Sequence, residues 1–169
     1  KSKMGYTNIS IKSGNRLIET KKEATEGFTQ NDWEFGKKGE EGFRTGTNFI
    51  KEHSNVKGKI SRVEVKEAGF QQGLMLLSLS FEAENDIITL DFPLKDSRGD
   101  YSAWVNALAP YVEALVPGMD IELWLNTKDK EKSKDGKERL YKRMYIKANG
   151  ETLKWTYVPK EEAPAWDKV

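Results

Sequence analysis

Apolar residues recur at every second position through most of the chain beyond residue 56, which is the period of a half-buried β-strand. Residues 74–81 are apolar at Met75, Leu77, Leu79 and Phe81, and residues 87–94 at Ile88, Leu90, Phe92 and Leu94. Within 56–66 the parity switches. Ile60 lies on one face and Val63 and Val65 on the other, which predicts a β-bulge in 58–62 that turns the strand. Residues 120–126 bury Ile121, Leu123 and Leu125 and set Trp124 on the opposite face, either packed under the N-terminal segment or free to stack on a ligand, with packing favoured. Residues 139–147 alternate most clearly, with Leu140, Met144 and Ile146 beneath and Arg139, Tyr141, Arg143, Tyr145 and Lys147 above. Asn149-Gly150 then predicts a type I′ turn into a strand over 151–158, which sets Lys147 opposite Thr152, Tyr145 opposite Lys154 and Met144 opposite Trp155.

A single stretch departs from this period. Tyr101, Trp104, Val105 and Leu108 are spaced for a helix face, with Asp100 as the candidate N-cap. Pro110 cannot donate a backbone hydrogen bond, so the helix breaks or kinks there, and a short further turn runs through Val112 and Leu115. Ahead of the strands, residues 6–19 read as a hairpin turning at Ser13-Gly14-Asn15. Residues 26–46 carry five glycines among Trp33, Phe35 and Phe43, a composition for a mobile arm or an irregular hairpin.

Three strands, a helix and two strands, opened by a strand that bends midway, is the element order of an OB-fold. The expected fold is therefore mainly β: a five-stranded Greek-key barrel with one helix between strands 3 and 4. Its expected organisation is an N-terminal hairpin and Gly-rich aromatic arm over 1–50 packed on the barrel, the barrel itself over 51–158, and an extended tail over 159–169.

The chemistry of the chain concentrates in 139–147. Cations alternating with aromatic rings above an apolar underside meet the needs of a nucleic-acid strand, whose phosphates pair with charge and whose bases stack on flat rings. An ordinary half-exposed strand has the same residue types, because Tyr and Arg both suit such a surface. On the binding reading Arg139, Arg143, Lys147 and Lys154 pair with phosphates while Tyr141 and Tyr145 stack bases. Arg62, Phe70, Trp33, Phe35, Lys37 and Lys38 form a second tier, if the arm and the first hairpin loop close over the strand. For Trp33 and Phe35 a hydrophobic clasp on the barrel is an equal alternative. Gly36-Lys37-Lys38-Gly39 lacks the Gly-Lys-Ser/Thr ending and the preceding apolar strand of a nucleotide-binding loop.

Composition narrows the classes further. Lys and Arg number 28 against 27 Asp and Glu, so attraction to nucleic acid has to be local rather than global. With no Cys and His53 as the one histidine, disulfides, Cys-type zinc sites and Cys-His catalysis are excluded, and the lack of Cys fits a reducing compartment. Asp91, Asp96 and Asp100 could supply carboxylates to a magnesium site, but acids beside a turn and a helix start more often cap and solvate. No nucleophile, base pair or phosphate loop accompanies them, so neither catalysis nor a cofactor is expected. No apolar run approaches the roughly 18 residues of a membrane span, and no secretory leader is expected. Residues 127–138 hold lysines and acids with almost nothing apolar, as a solvated hairpin loop would.

The chain also resembles a known family, the small single-stranded DNA-binding proteins of bacteriophages. The resemblance lies in Val56-Lys57-Gly58-Lys59-Ile60-Ser61-Arg62-Val63, in Gly73-Leu74-Met75-Leu76, in the Trp104 to Leu115 helical segment, and in Ile146-Lys147-Ala148-Asn149-Gly150 followed by Tyr157. It spans roughly residues 5 to 160 as a pattern of apolar, Gly and Asn-Gly positions without an invariant signature. It implies sequence-tolerant coating of single-stranded DNA, or RNA, in phage replication or recombination, with no catalysis. It also implies a monomer or weak homodimer in the host cytoplasm, with replication proteins as partners. The last residues, Ala163-Pro164-Ala165-Trp166-Asp167-Lys168-Val169, lack the acidic, aromatic tip by which many such proteins recruit partners, so recruitment through the tail is not expected. The rival expectation is a protein-interaction or virion-structural module that uses the same Tyr and Arg residues, since both types are enriched at protein interfaces.

Overall fold

The computed structural model describes residues 5–69, 71–132 and 134–153. Twelve strands and one short helix are formed among them. The strands are β1 (Gly5–Lys12), β2 (Arg16–Lys21), β3 (Thr29–Phe35), β4 (Arg44–His53), β5 (Val56–Glu67), β6 (Met75–Ala83), β7 (Asp86–Pro93), β8 (Asp120–Leu125), β9 (Lys130–Lys132), β10 (Glu138–Leu140), β11 (Met144–Ala148) and β12 (Glu151–Thr152). The helix α1 (Ala103–Leu108) lies between β7 and β8 and runs on into a 3₁₀ segment, Ala109–Ala114.

Ten of the strands form one mixed sheet in the order β12-β11-β8-β5-β6-β7-β1-β2-β4-β3, and β9 and β10 pair by themselves. The expected closed five-stranded OB-fold barrel is overturned by this ladder. The reason lies in β7, whose second edge would have to close a barrel. That edge is taken by β1, which pairs with it in parallel from Gly5↔Asp86 to Ser10↔Asp91. The N-terminal hairpin is thus built into the sheet, and β2, β4 and β3 extend it further. Alternation within a strand shows which face is buried but not which partner lies beside it, so the sequence offers no sign of this parallel pairing.

The bend in β5 falls where the change of parity predicts it. Register slips between Ile60 and Arg62, and β5 pairs with β8 over Val56 to Lys59 and with β6 from Lys59 onward. Gly58 lets the strands approach there, because a Cβ would sit 2.9 Å from the Glu82 carbonyl oxygen and 3.0 Å from the Phe81 Cβ.

One face of the sheet carries the core. Leu77 opposes Phe92 and Leu79 opposes Leu90, all of them buried, and Ile9, Val56, Ile60, Ile121, Leu123, Met144 and Ile146 extend the layer. Trp104, Val105, Leu108 and Tyr111 pack onto it from α1 and the 3₁₀ segment, and Leu115 from the position just after them. Full burial of each large side chain contributes about 1.5–3 kcal/mol, so this layer is the principal source of stability.

Two local expectations change. Ser102, not Asp100, caps α1: its Oγ accepts from Val105 N at 3.3 Å and donates to the Pro93 carbonyl at 2.6 Å. A hydroxyl can do both, whereas an ionised carboxylate cannot donate. The Gly-rich segment is not an irregular hairpin, for β3 and β4 pair residue by residue from Thr29↔Ile50 to Phe35↔Arg44. Gly36, Gly39 and Gly42, all at positive φ, lie in the connecting turn rather than in the strands. No helix among the described residues is long and apolar enough to cross a membrane.

Candidate nucleic-acid interface

The expected strand over 139–147 is two short strands with a break at 141–143, where polar side chains replace ladder bonds. Asn126, 2% exposed, donates through Nδ2 to the carbonyls of Asp129 (2.8 Å) and Tyr141 (2.9 Å), and its Oδ1 accepts from the backbone of Lys128 and Asp129. Asn15, at the tip of the β1–β2 hairpin with φ 54°, is also buried and donates to the carbonyls of Asn126 (2.9 Å) and Tyr141 (2.8 Å). The Asn126 amide bonds the Arg143 carbonyl at 2.9 Å, and the Arg143 amide turns back to the Tyr141 carbonyl at 3.1 Å. This knot ties the N-terminal hairpin to the end of β8 and fixes the path of the Tyr141 and Arg143 backbone.

Around the break the aromatic and basic side chains still meet. The Arg143 guanidinium lies 4.5 Å from the centre of the Tyr141 ring. Along β11, Met144, Ile146 and Ala148 are buried, whereas Tyr145 is 39% exposed on the opposite face. Tyr145 sits beside Trp124 of β8, and the Lys147 ammonium lies 5.4 Å from the Trp124 ring centre. Trp124 is therefore a member of this outer face, and its opposite parity to Ile121, Leu123 and Leu125 was the signal that placed it there.

Acids are interleaved with these cations. Tyr145 Oη is 3.4 Å from Asp129 Oδ2, and Glu122, cross-strand from Lys147, accepts from Asn55 Nδ2 at 3.0 Å. Arg139 is not part of the cluster: it belongs to the separate β9–β10 ladder and pairs with Asp135 at 3.1 Å. Tyr111, buried on the 3₁₀ segment, has its phenol pKa raised above 10.0 by burial and by Tyr145, with Arg143 opposing.

The second-tier residues lie elsewhere. Arg62 is exposed at the β5 bulge and pairs with Glu64 at 3.5 Å. Trp33 and Phe35 belong to β3, at the opposite end of the ten-strand ladder from β11 and β12, and no hydrogen bond, ion pair or cation–π contact among the described residues joins the two groups. Trp33 packs on its own hairpin, because a Cβ added at Gly46 would lie 2.5 Å from Trp33 Cζ2. Phe35 is 56% exposed with the Arg44 guanidinium 5.1 Å from its ring centre. Lys37 and Lys38 are exposed in the turn that follows. Phe70, Lys154 and Trp155 lie outside the described residues.

Two of the three carboxylates considered for a metal have other duties. Asp96 accepts from the backbone of Arg98 and Asp100, and Asp91 accepts from Asn8 and faces Lys66 Nζ at 3.4 Å. Among the described residues no three His, Cys, Asp or Glu side chains are grouped to hold a metal ion. Sequence reasoning missed Asn15, Asn126 and Tyr111, since an Asn in a turn and a Tyr after a Pro carry no local sign of the distant groups they meet. Neither a protein-family model, nor a curated protein, nor a solved structure matches the chain.

Proposed function

We propose that this protein binds single-stranded DNA with little regard for sequence, as a non-catalytic coat in phage replication or recombination. The observation that carries the reading is the outer face of β8 and β11 with the break beside it. There Tyr141, Tyr145 and Trp124 lie next to Arg143 and Lys147 over a fully apolar underside. Each base stacked on such a ring is worth roughly 1–3 kcal/mol by substitution, so three rings and two cations supply useful affinity without reading base edges. The proposal takes with it the kinship to phage single-strand-binding proteins expected from the sequence pattern. Arg62 at the β5 bulge and Trp33, Phe35, Lys37 and Lys38 on the β3–β4 hairpin enter it as separate contacts at different places on the sheet, and Arg139 as a peripheral charge.

The test is the double variant Arg143→Ala with Tyr145→Ala. Both side chains are exposed, so thermal stability stays close to that of the parent while binding to an oligothymidine falls by at least about tenfold. Undiminished binding by a folded double variant would move the site elsewhere.

A protein-interaction or virion-structural module is the second reading, and the acids within the patch favour it. Asp129 beside Tyr145 and Glu122 beside Lys147 suit a partner of mixed charge. Ionic strength separates the two readings, because phosphate binding weakens steeply with salt and a Tyr-rich protein interface does so less.

A further inference from the structure

Beside the outer face lies a cavity of about 520 Å³ between α1 and the 142–145 segment. Its size falls within the roughly 300–1,000 Å³ of sites that enclose small molecules. Two aromatic rings reach it from different elements, Tyr111 from the 3₁₀ segment and Tyr145 from β11. Lys142 and Arg143 bring positive charge to the strand side, and Ala103 and Asn106 line the helix side. The Asn106 side chain donates from Nδ2 to the Tyr101 carbonyl at 3.4 Å, which leaves its Oδ1 as an acceptor.

We propose that this cavity receives one unstacked nucleobase, with Tyr111 and Tyr145 against the base, Asn106 at its polar edge and Lys142 or Arg143 on the neighbouring phosphate. The inference rests on the single-strand reading above and adds a second mode of contact to it. Tyr145 and Arg143 are shared by the outer face and the cavity, so a strand lying across β11 can turn one base inward without leaving its phosphate contacts. Aromatic walls with cations on one side are complementary to a base attached to a phosphate, and stacking of this kind tolerates any base. Asn106 adds a polar group that can favour a base presenting an N–H at that edge. The Tyr111 phenol is protonated at neutral pH, as any phenol with a pKa near 10.0 or above is, so it faces a phosphate as a neutral hydroxyl and not as an anion.

Tyr111 makes the proposal testable because it is only 4% exposed and the cavity gives access to it. An oligothymidine carrying 5-iododeoxyuridine at single positions is photocrosslinked to the full chain and the modified residue is mapped by mass spectrometry. The proposal predicts a crosslink to Tyr111 in the bound complex. It also predicts that Ala103→Leu, an exposed position whose larger side chain narrows the mouth, removes this crosslink and lowers affinity roughly 5- to 150-fold, the loss of one stacked base. Asn106→Ala, also exposed, should keep the crosslink while flattening differences among homopolymers. Crosslinks at Tyr141 or Tyr145 with none at Tyr111 would overturn the cavity proposal and leave single-strand binding standing. Labelling of Tyr111 by 5-iododeoxyuridine monophosphate but not by the oligonucleotide would make the cavity a free-nucleotide site and overturn its role in the strand. An oligonucleotide that does not bind at all would remove both readings.

Discussion

Asn15 shows how one short side chain can hold distant parts of the chain in place. Its amide supplies two hydrogen bonds to backbone carbonyls far away in sequence, one of them buried and the other partly so. Replacing it with Ala leaves the Asn126 carbonyl short of a partner and costs about 1–3 kcal/mol in denaturant unfolding. Asn15→Asp should cost more, since a carboxylate would face the two carbonyl oxygens without a proton to donate. Tyr111 makes a prediction of a different kind. Its pKa in the folded chain lies above the ordinary 10.0 because burial and Tyr145 oppose the phenolate. The unfolded chain therefore ionises first as pH rises, and folded stability due to this residue is complete below pH 10.0 and lost above it. Melting temperatures measured from pH 8 upward should fall beyond pH 10.0, and Tyr111→Phe should lessen that fall.

At the scale of elements, the hairpin of β3 and β4 stands out because all of β3 is exposed or only partly buried, although the strands pair regularly. Its order comes from cross-strand contacts, with Trp33 on Gly46 and Arg44 over Phe35. Gly46→Val should lift the indole off the strand, shift Trp33 fluorescence toward that of a solvated ring and loosen the hairpin, while the core layer melts at nearly the same temperature. An unchanged emission spectrum would mean that Trp33 is not seated on Gly46. This hairpin was only partly legible in the sequence. Glycine density in 26–46 suggested irregularity, but composition does not tell a turn glycine from a strand glycine that yields its side-chain space to a tryptophan. The bulge in β5, the Asn149-Gly150 turn and the helix after Ser102 were readable because each leaves a local mark: a switch of apolar parity, an Asn-Gly pair, and the helical spacing of Trp104, Val105 and Leu108. Asn149 at φ 51° and Gly150 at φ 83° have the positive values that a type I′ turn demands. The continuous strand over 139–147 was misread because the groups that break it, Asn126 and Asn15, come from elsewhere in the chain.

For the whole molecule, the sequence made clear that strands dominate and which of their faces are apolar, but not how the strands are ordered. Pairing order depends on long-range partners, and the parallel contact of β1 with β7 decides between a closed small barrel and the ladder of ten strands. The candidate site survives that change because it depends on β8, β11 and the break at 141–143 rather than on closure. With nearly balanced overall charge, the proposed affinity for a nucleic acid requires a local face rather than a global field. The direct test is fluorescence anisotropy of a labelled oligothymidine titrated with the protein at low and at physiological salt, with duplex DNA of equal length as competitor. The account predicts tight binding that weakens steeply as salt rises and that the duplex fails to compete away. Absence of binding at low salt, or equal competition by the duplex, would contradict it.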